Sequence, residues 1–237
     1  MTKIQLIIRM ITENEGIDFY RLKTGQLNNE EWSLIEEMVT KISRLKLHIA
    51  DDHKVRYLSN IKSMSRRLAR RGNLGMIFID YLGLIRTNMK FGTRDLEIGY
   101  ITGELKNLAK ELNVPIMLLA QLNRPLKGAK VSSPKLEDLR ESGNIEQDAD
   151  IVIFPHRPSY YDSEAMDENG ITWKNRGGLI IAKHREGEIN TKVLFKHDNS
   201  FKKIFDDTTL LFSNNNISNT NFYESRKEQM ENKEKPF

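Results

Sequence analysis

The chain has 237 residues, 38% hydrophobic and 30% charged, with a formal net charge of +4 and no cysteine. That length holds one large α/β domain or two small ones, and no apolar run reaches the roughly 20 residues of a membrane-spanning helix. Disulfides and thiolate metal sites are excluded, which fits a reducing compartment, and the small positive charge points only weakly to a polyanionic partner.

At the start, Lys3, Gln5 and Arg9 interrupt the hydrophobic stretch, so it does not read as a secretory signal. Ile4, Ile7, Ile8 and Ile11 share one face and predict a helix over 1–14, ended by Gly16 and Asp18. A second helix is expected over 29–43. Asn28 or Asn29 caps it, Glu30 and Glu31 suit the positive end of its dipole, and Trp32, Ile35, Val39 and Ile42 form the inward stripe. Leu45, Leu47 and Ile49 then alternate as a short strand.

A third helix over 55–71 turns Leu58, Ile61 and Leu68 inward and gathers Arg66, Arg67, Arg70 and Arg71 near its end. That run reads first as cations favoured at a helix C-terminus on a solvated face. Gly75 opens 76–80, four apolar residues closed by Asp80, the pattern of a strand buried on both faces of a parallel sheet. After a loop over 88–93, Ile98, Ile101, Leu105, Leu108 and Leu112 mark a helix over 94–113, with Asp95 and Glu97 in its first turn. Val114-Pro115 breaks it, and a strand over 116–120 ends at Gln121.

The stretch LEDLRESGNIEQDADIVIF, residues 136–154, starts polar, crosses a Ser142-Gly143-Asn144 turn and ends in Ile151-Val152-Ile153-Phe154. The apolar run, left through Pro155, reads as a buried strand. Arg140, Glu141, Ser142 and Gly143 fall on the exposed connection before it, where scaffolds carry function. A Ser-Gly step lets backbone approach a ligand closely, and an arginine beside free N–H groups suits phosphate. Beyond it come a surface loop over 156–177, a strand over 179–182 closed by Lys183, His184 and Arg185, and a hairpin turning at Asp198-Asn199. Residues 213–237, rich in Asn, Ser, Glu and Lys, read as a disordered polar tail.

Alternating strands and helices predict an α/β fold with a largely parallel sheet, in which ligands bind beyond the carboxyl ends of the strands. Three strands end in residues suited to a nucleotide. Asp80 can hold Mg2+ through a water ligand, and Gln121 can orient a water or sense a terminal phosphate. Lys183 and Arg185, two apart on an extended chain, project from one side as a pair of cations for one phosphate. Singly, each is equally a turn former, a surface amide or a solvated edge; their recurrence at successive strand ends favours a site.

IFIDYLGLI, ELKNLAKELNVPIMLLAQLNR, LEDLRESGNIEQDADIVIF and IIAKHREGE together resemble the motor domain of DnaB-type replicative helicases, which has a RecA-like fold. The resemblance runs in order from Met1 to about Asp206. It implies a helicase motor over 1–212 that uses ATP and Mg2+ and travels on single-stranded DNA as a hexameric ring. The setting it implies is a cytoplasmic replisome, bacterial, phage-encoded or organellar, with primase and a loader as partners and no membrane. Asp80 would match the Walker B aspartate, the metal residue, and Gln121 the phosphate-sensing glutamine. Lys183 and Arg185 would match the pair that reaches the γ-phosphate held by the neighbouring subunit. Arg140, Glu141, Ser142 and Gly143 would lie in the loop that grips DNA in the ring's channel, and Lys90 in a second channel loop.

One departure stands against these matches. The sequence has no G-x-x-x-x-G-K-[ST] to cradle phosphates, and Gly128-Ala129-Lys130 lacks the hydroxyl and the preceding strand. The half of the nucleotide site that acts in cis is therefore expected to be missing while the half acting in trans is present. The fold expected is an N-terminally truncated RecA-like motor whose strands flanking the lost P-loop strand have unpaired edges, plus a C-terminal β-hairpin. The chain is expected not to bind ATP in cis. The alternative is a non-enzymatic DNA-binding or assembly subunit lending Lys183 and Arg185 to an intact homologous subunit. Another RecA-like ATPase, such as a recombinase, is disfavoured by LRESGNIEQDAD.

Overall fold

Apolar residues at helical spacing give three helices ahead of any strand: α1 (Lys3–Glu15), α2 (Phe19–Thr24) and α3 (Asn29–Arg44). The structure, a computed structural model, describes residues 2–15, 17–72, 74–122, 133–139, 143–167, 169–198 and 204–207. The short α2 was not expected. Asp18 caps it by accepting from the Tyr20 and Arg21 N–H groups, and Gly25, at φ 71, closes it in the left-handed conformation. Asn28 and Glu31 form a reciprocal capping box on α3. The inward stripe of α3 is rotated from the expected one. Ile35 and Met38 are buried while Trp32 and Val39 stand half-exposed, because α3 meets α1 and α2 around Ile11 and Ile17. Residues 45–49 form no strand, since no strand lies alongside them among the described residues; they run as an irregular extended segment.

The next layer contains α4 (Leu58–Arg70), β1 (Ile77–Ile79), α5 (Arg94–Leu112) and β2 (Ile116–Leu118). β1 and β2 pair in parallel, with Ile77 opposite Ile116 and Ile79 opposite Leu118. These four residues pack on a core that includes Leu58, Ile61, Ile98, Ile101, Leu105 and Leu108 from α4 and α5. Because both helices lie on that side, the alternate residues face outward: Phe78 is 68% exposed and Met117 44%. The strand over 76–80, expected to be buried on both faces, is thus covered on one.

α6 (Gly143–Asp148) leads into β3 (Ile151–His156), β4 (Arg176–His184), β5 (Thr191–His197) and β6 (Ile204–Asp206). These strands form one antiparallel sheet in chain order, closed around Leu139, Val152, Phe154 and Ile180. The largely parallel sheet is therefore corrected: among the described residues parallel pairing is confined to β1 and β2, and the α/β class is kept with mixed sheets. The turn expected at 142–144 is in part the start of α6. β4 begins three residues earlier than expected, at Arg176, a buried guanidinium paired with Asp167 at 3.0 Å and Asp207 at 2.7 Å. Those pairs tie the preceding loop to the end of β6. The tail over 213–237 lies outside the described residues, as does the turn residue Asn199.

Ile101 has no exposed surface, so Ile101→Ala is expected to cost about 2–5 kcal/mol in a urea titration. Phe78→Ser, on the open sheet face, should cost about 0.5 kcal/mol or less and raise solubility. Equal losses from the two changes would show that the outer face of β1 and β2 is covered.

Candidate functional site

Parallel pairing sets the carboxyl ends of β1 and β2 side by side, and two backbone bonds extend the join beyond the strands. Leu119 N–H donates to the Ile79 carbonyl at 3.0 Å, and Leu82 N–H to the Leu119 carbonyl at 2.9 Å. Asp80 and Gln121 leave from these adjacent ends. Both are exposed, and neither side chain has a hydrogen bond or ion pair among the described residues. The Asp80–Tyr81 peptide is cis. Leu82 and Ile85 then bury themselves in the core and fix the connection. Tyr81 folds back over Gly83, where a Cβ would lie 2.5 Å from the ring.

Lys90 rides on the following loop, which is anchored at both ends. Arg94 donates to the Gly83 and Ile85 carbonyls, each at 3.3 Å, and pairs with Glu97 at 2.5 Å. Glu97 also accepts the Thr87 N–H at 3.3 Å. Thr93 caps α5 by accepting from Leu96 N–H at 3.4 Å. Burial pushes the Glu97 carboxyl up, but the Arg94 hydrogen bond and charge, with the Thr87 N–H and Arg86, outweigh it and hold the group below its ordinary value.

The second cluster lies on the antiparallel sheet. The register of β3 and β4 steps between the pairs Val152–Lys183 and Ile153–Ile181, so Ala182 is an extra residue that re-aims the end of β4. Lys183 and Arg185 converge on the end of α6. Lys183 Nζ donates to the Glu146 carbonyl and, at 3.5 Å, to that of Gln147; Arg185 Nη2 donates to the Gln147 carbonyl at 2.5 Å. Carbonyls of a last helical turn lack intrahelical donors, so the two cations satisfy them. α6 is pinned in turn to α5, through Thr102 Oγ1 donating to Asp148 Oδ2 at 2.6 Å and Lys106 pairing with Asp150. Asp150 faces Arg185 as well, with Oδ1 3.4 Å from Nη1 and its carbonyl accepting the Arg185 N–H at 3.0 Å. Lys106 first, then Arg185 and Lys110, hold the Asp150 carboxyl below its ordinary value.

Asp80 is therefore brought beside Gln121, and Lys183 beside Arg185, with no hydrogen bond or ion pair joining the two groups among the described residues. Gly143 opens α6; Arg140, Glu141 and Ser142 lie outside the described residues. Thr102, Lys106, Asp148 and Asp150 were not singled out from sequence. The signal that could have found them is the i,i+4 polar pair on α5 together with the two aspartates just before β3. A lone strand-end carboxylate fits Mg2+ carried by phosphate, since that ion keeps water and phosphate oxygens around one or two carboxylates. No group of three metal-ligating side chains gathers among the described residues, so Asp80 would hold such an ion only together with phosphate.

Residues 1–206 match the family described as DnaB-like helicase C terminal domain. Curated relatives include the replicative DNA helicase DnaB of Rickettsia conorii, 38% identical over 226 residues, which span 91% of this chain and 45% of that protein. The replicative DNA helicase DnaC of Bacillus subtilis is 39% identical over 209 residues, 86% of this chain and 44% of that protein. The chain thus spans less than half the length of these relatives. Among solved structures, one described as an ATPase domain superposes with a TM-score of 0.76 at 31% identity, covering 87% of this chain and 72% of that one. A DnaB-like replicative helicase, solved in a study of its interactions with primase, gives 0.75 at 31% identity over 86% of this chain and 49% of that one. These neighbours are RecA-fold ATPase domains, so the expected RecA-like α/β class holds.

Glu97 yields a prediction with a definite sign. Its folded value lies below the ordinary 4.5, so its contribution is complete above 4.5 and is lost as pH falls through the lower folded value. Protection of the Thr87 amide, taken relative to its intrinsic exchange rate at each pH, is expected to fall on acidification below that point, and at pH 7 in Glu97→Leu. Unchanged protection in Glu97→Leu would remove the anchor assigned to this carboxylate.

Proposed function

The chain belongs to the family of DnaB-like helicase C-terminal domains, and on that premise we propose that it is the motor portion, residues 1–212, of an ATP-dependent replicative helicase. The assembly is a hexameric ring that moves along single-stranded DNA, and residues 213–237 are a polar tail outside the motor. The observation that carries this reading is the division of phosphate-suited side chains into two groups, each held by its own sheet. Asp80 and Gln121 leave adjacent parallel strand ends, while Lys183 and Arg185 stand together on the last carbonyls of α6.

In this reading Asp80 accepts from a water of Mg2+-bound ATP, and Gln121 hydrogen-bonds the terminal phosphate or the attacking water. Lys183 and Arg185 turn toward a γ-phosphate held by the neighbouring subunit and offset the charge that develops there. Arg140, Glu141, Ser142 and Gly143 precede or open α6, and Lys90 sits on the anchored loop after β1; these residues take the DNA backbone. Such contacts read charge and spacing rather than base identity. The bacterial relatives and the primase-related neighbour support a cytoplasmic replisome with primase and a loader as partners.

No Gly-Lys-Ser or Gly-Lys-Thr occurs in the sequence, so the phosphate cradle has to come from elsewhere. The pair Lys183 and Arg185, present without that cradle, favours a second reading: an assembly subunit that lends these cations to an intact homologue. Purified chain with Mg2+-ATP and single-stranded DNA is expected to show no turnover above background; measurable turnover would overturn the loss of cis binding. Mixed with an intact relative, stimulation that disappears in Lys183→Ala supports the second reading, whereas poisoning or no effect supports an inactive motor portion.

Single-strand binding should weaken with salt. Lys90→Ala and Arg140→Ala should each lower affinity and reduce the slope of log affinity against log salt by about 1. An unchanged slope removes that residue from the DNA site.

A further inference from the structure

We propose that Asp150 is a positioning residue that holds Arg185 in competition with phosphate, and that Lys106 sets the strength of that hold. The inference rests on the reading of Lys183 and Arg185 as a phosphate-directed pair and adds a control on it.

The two cations are held in different ways. Lys183 Nζ meets neutral carbonyls, those of Glu146 and Gln147. At those two contacts an arriving anionic oxygen replaces a neutral dipole. Arg185 meets the Gln147 carbonyl and also a carboxylate, Asp150 Oδ1 at 3.4 Å. Phosphate can engage this guanidinium only by displacing Asp150 or by sharing it with a like charge. The two residues stay neighbours, because the Asp150 carbonyl accepts the Arg185 N–H at 3.0 Å where β3 and β4 meet.

Asp150 is itself shared. Lys106, on α5, takes Oδ2 while Arg185 faces Oδ1. The more of the carboxylate's charge Lys106 neutralises, the less Arg185 feels, so the lysine loosens the hold. The pair is half in solvent, with Arg185 47% and Asp150 58% exposed, so screening limits the effect to a few-fold.

A plain surface brace between α5, α6 and β4 would use the same contacts, yet it predicts different signs. If the contacts only support the fold, removing either partner loosens the cation pair and weakens phosphate binding. Under competition the two removals act in opposite directions, and the lysine acts through the aspartate.

The test measures the affinity of the full chain for inorganic tripolyphosphate by calorimetry, with thermal unfolding as a control on the fold. Asp150→Asn is expected to tighten binding about two- to fivefold and Lys106→Met to weaken it by a similar factor. In an Asp150→Asn background Lys106→Met should have almost no effect, because the lysine's route to Arg185 is gone. Weakening by both single changes, or equal effects of Lys106→Met in the two backgrounds, would overturn the proposal; equal effects would indicate a diffuse field. Binding that survives Arg185→Ala and Lys183→Ala unchanged would instead remove the phosphate-directed pair, and this inference with it.

Discussion

The burial of one helix, α5, is the constraint on which the rest of the arrangement depends. Its apolar face carries Ile98, Ile101, Leu105 and Leu108 into the core beneath β1 and β2, which fixes the strand ends bearing Asp80 and Gln121. Its polar positions Thr102 and Lys106 reach Asp148 and Asp150, which fixes α6 and the start of β3. A close-packed interior transmits displacement rather than absorbing it. A shift of α5 would therefore be felt at both groups of phosphate-suited residues, although no direct bond links them among the described residues.

The same helix explains why the parallel pair looks unlike a finished sheet. α4 and α5 both lie on one side, so Ile77, Ile79, Ile116 and Leu118 are covered while Phe78 and Met117 are bare. Parallel strands are normally covered on both faces, because crossover helices lie on each. An apolar face of this kind is a surface that favours association. The bare sheet face is thus a local consequence of both helices packing on the other side.

The legibility of each feature in the sequence depends on how local its signal is. The helix over 94–113 was legible because five apolar residues repeat at its period, and the residues leaving β1 and β2 were legible because apolar runs end abruptly at Asp80 and Gln121. An apolar run does not report strand direction, so the antiparallel pairing of β3 with β4 was not legible. Nor was α6, whose six residues are too few to fold on local propensity. Its end is satisfied by Lys183 and Arg185, which lie 36 to 38 positions away in the chain. Phe78 misled for a related reason: apolar character predicts burial only where another element exists to cover it. At the site, the cations could be found as a strand-end pair, whereas Asp150 and Lys106 gain meaning only through a contact spanning 44 positions.

What holds the cations at rest also sets how readily they can move. Lys183 and Arg185 meet α6 through its backbone carbonyls, so neither charge is buried without a partner. If the pair turns to phosphate as proposed, each cation exchanges a neutral carbonyl for an anionic oxygen, which attracts it more strongly. The carbonyls they leave lie at the solvated end of a short surface helix, where water can replace the lost donors at small cost. The exchange is therefore close to balanced on the α6 side. In such an exchange one extra charge decides the direction, and beside Arg185 it is Asp150 that supplies it.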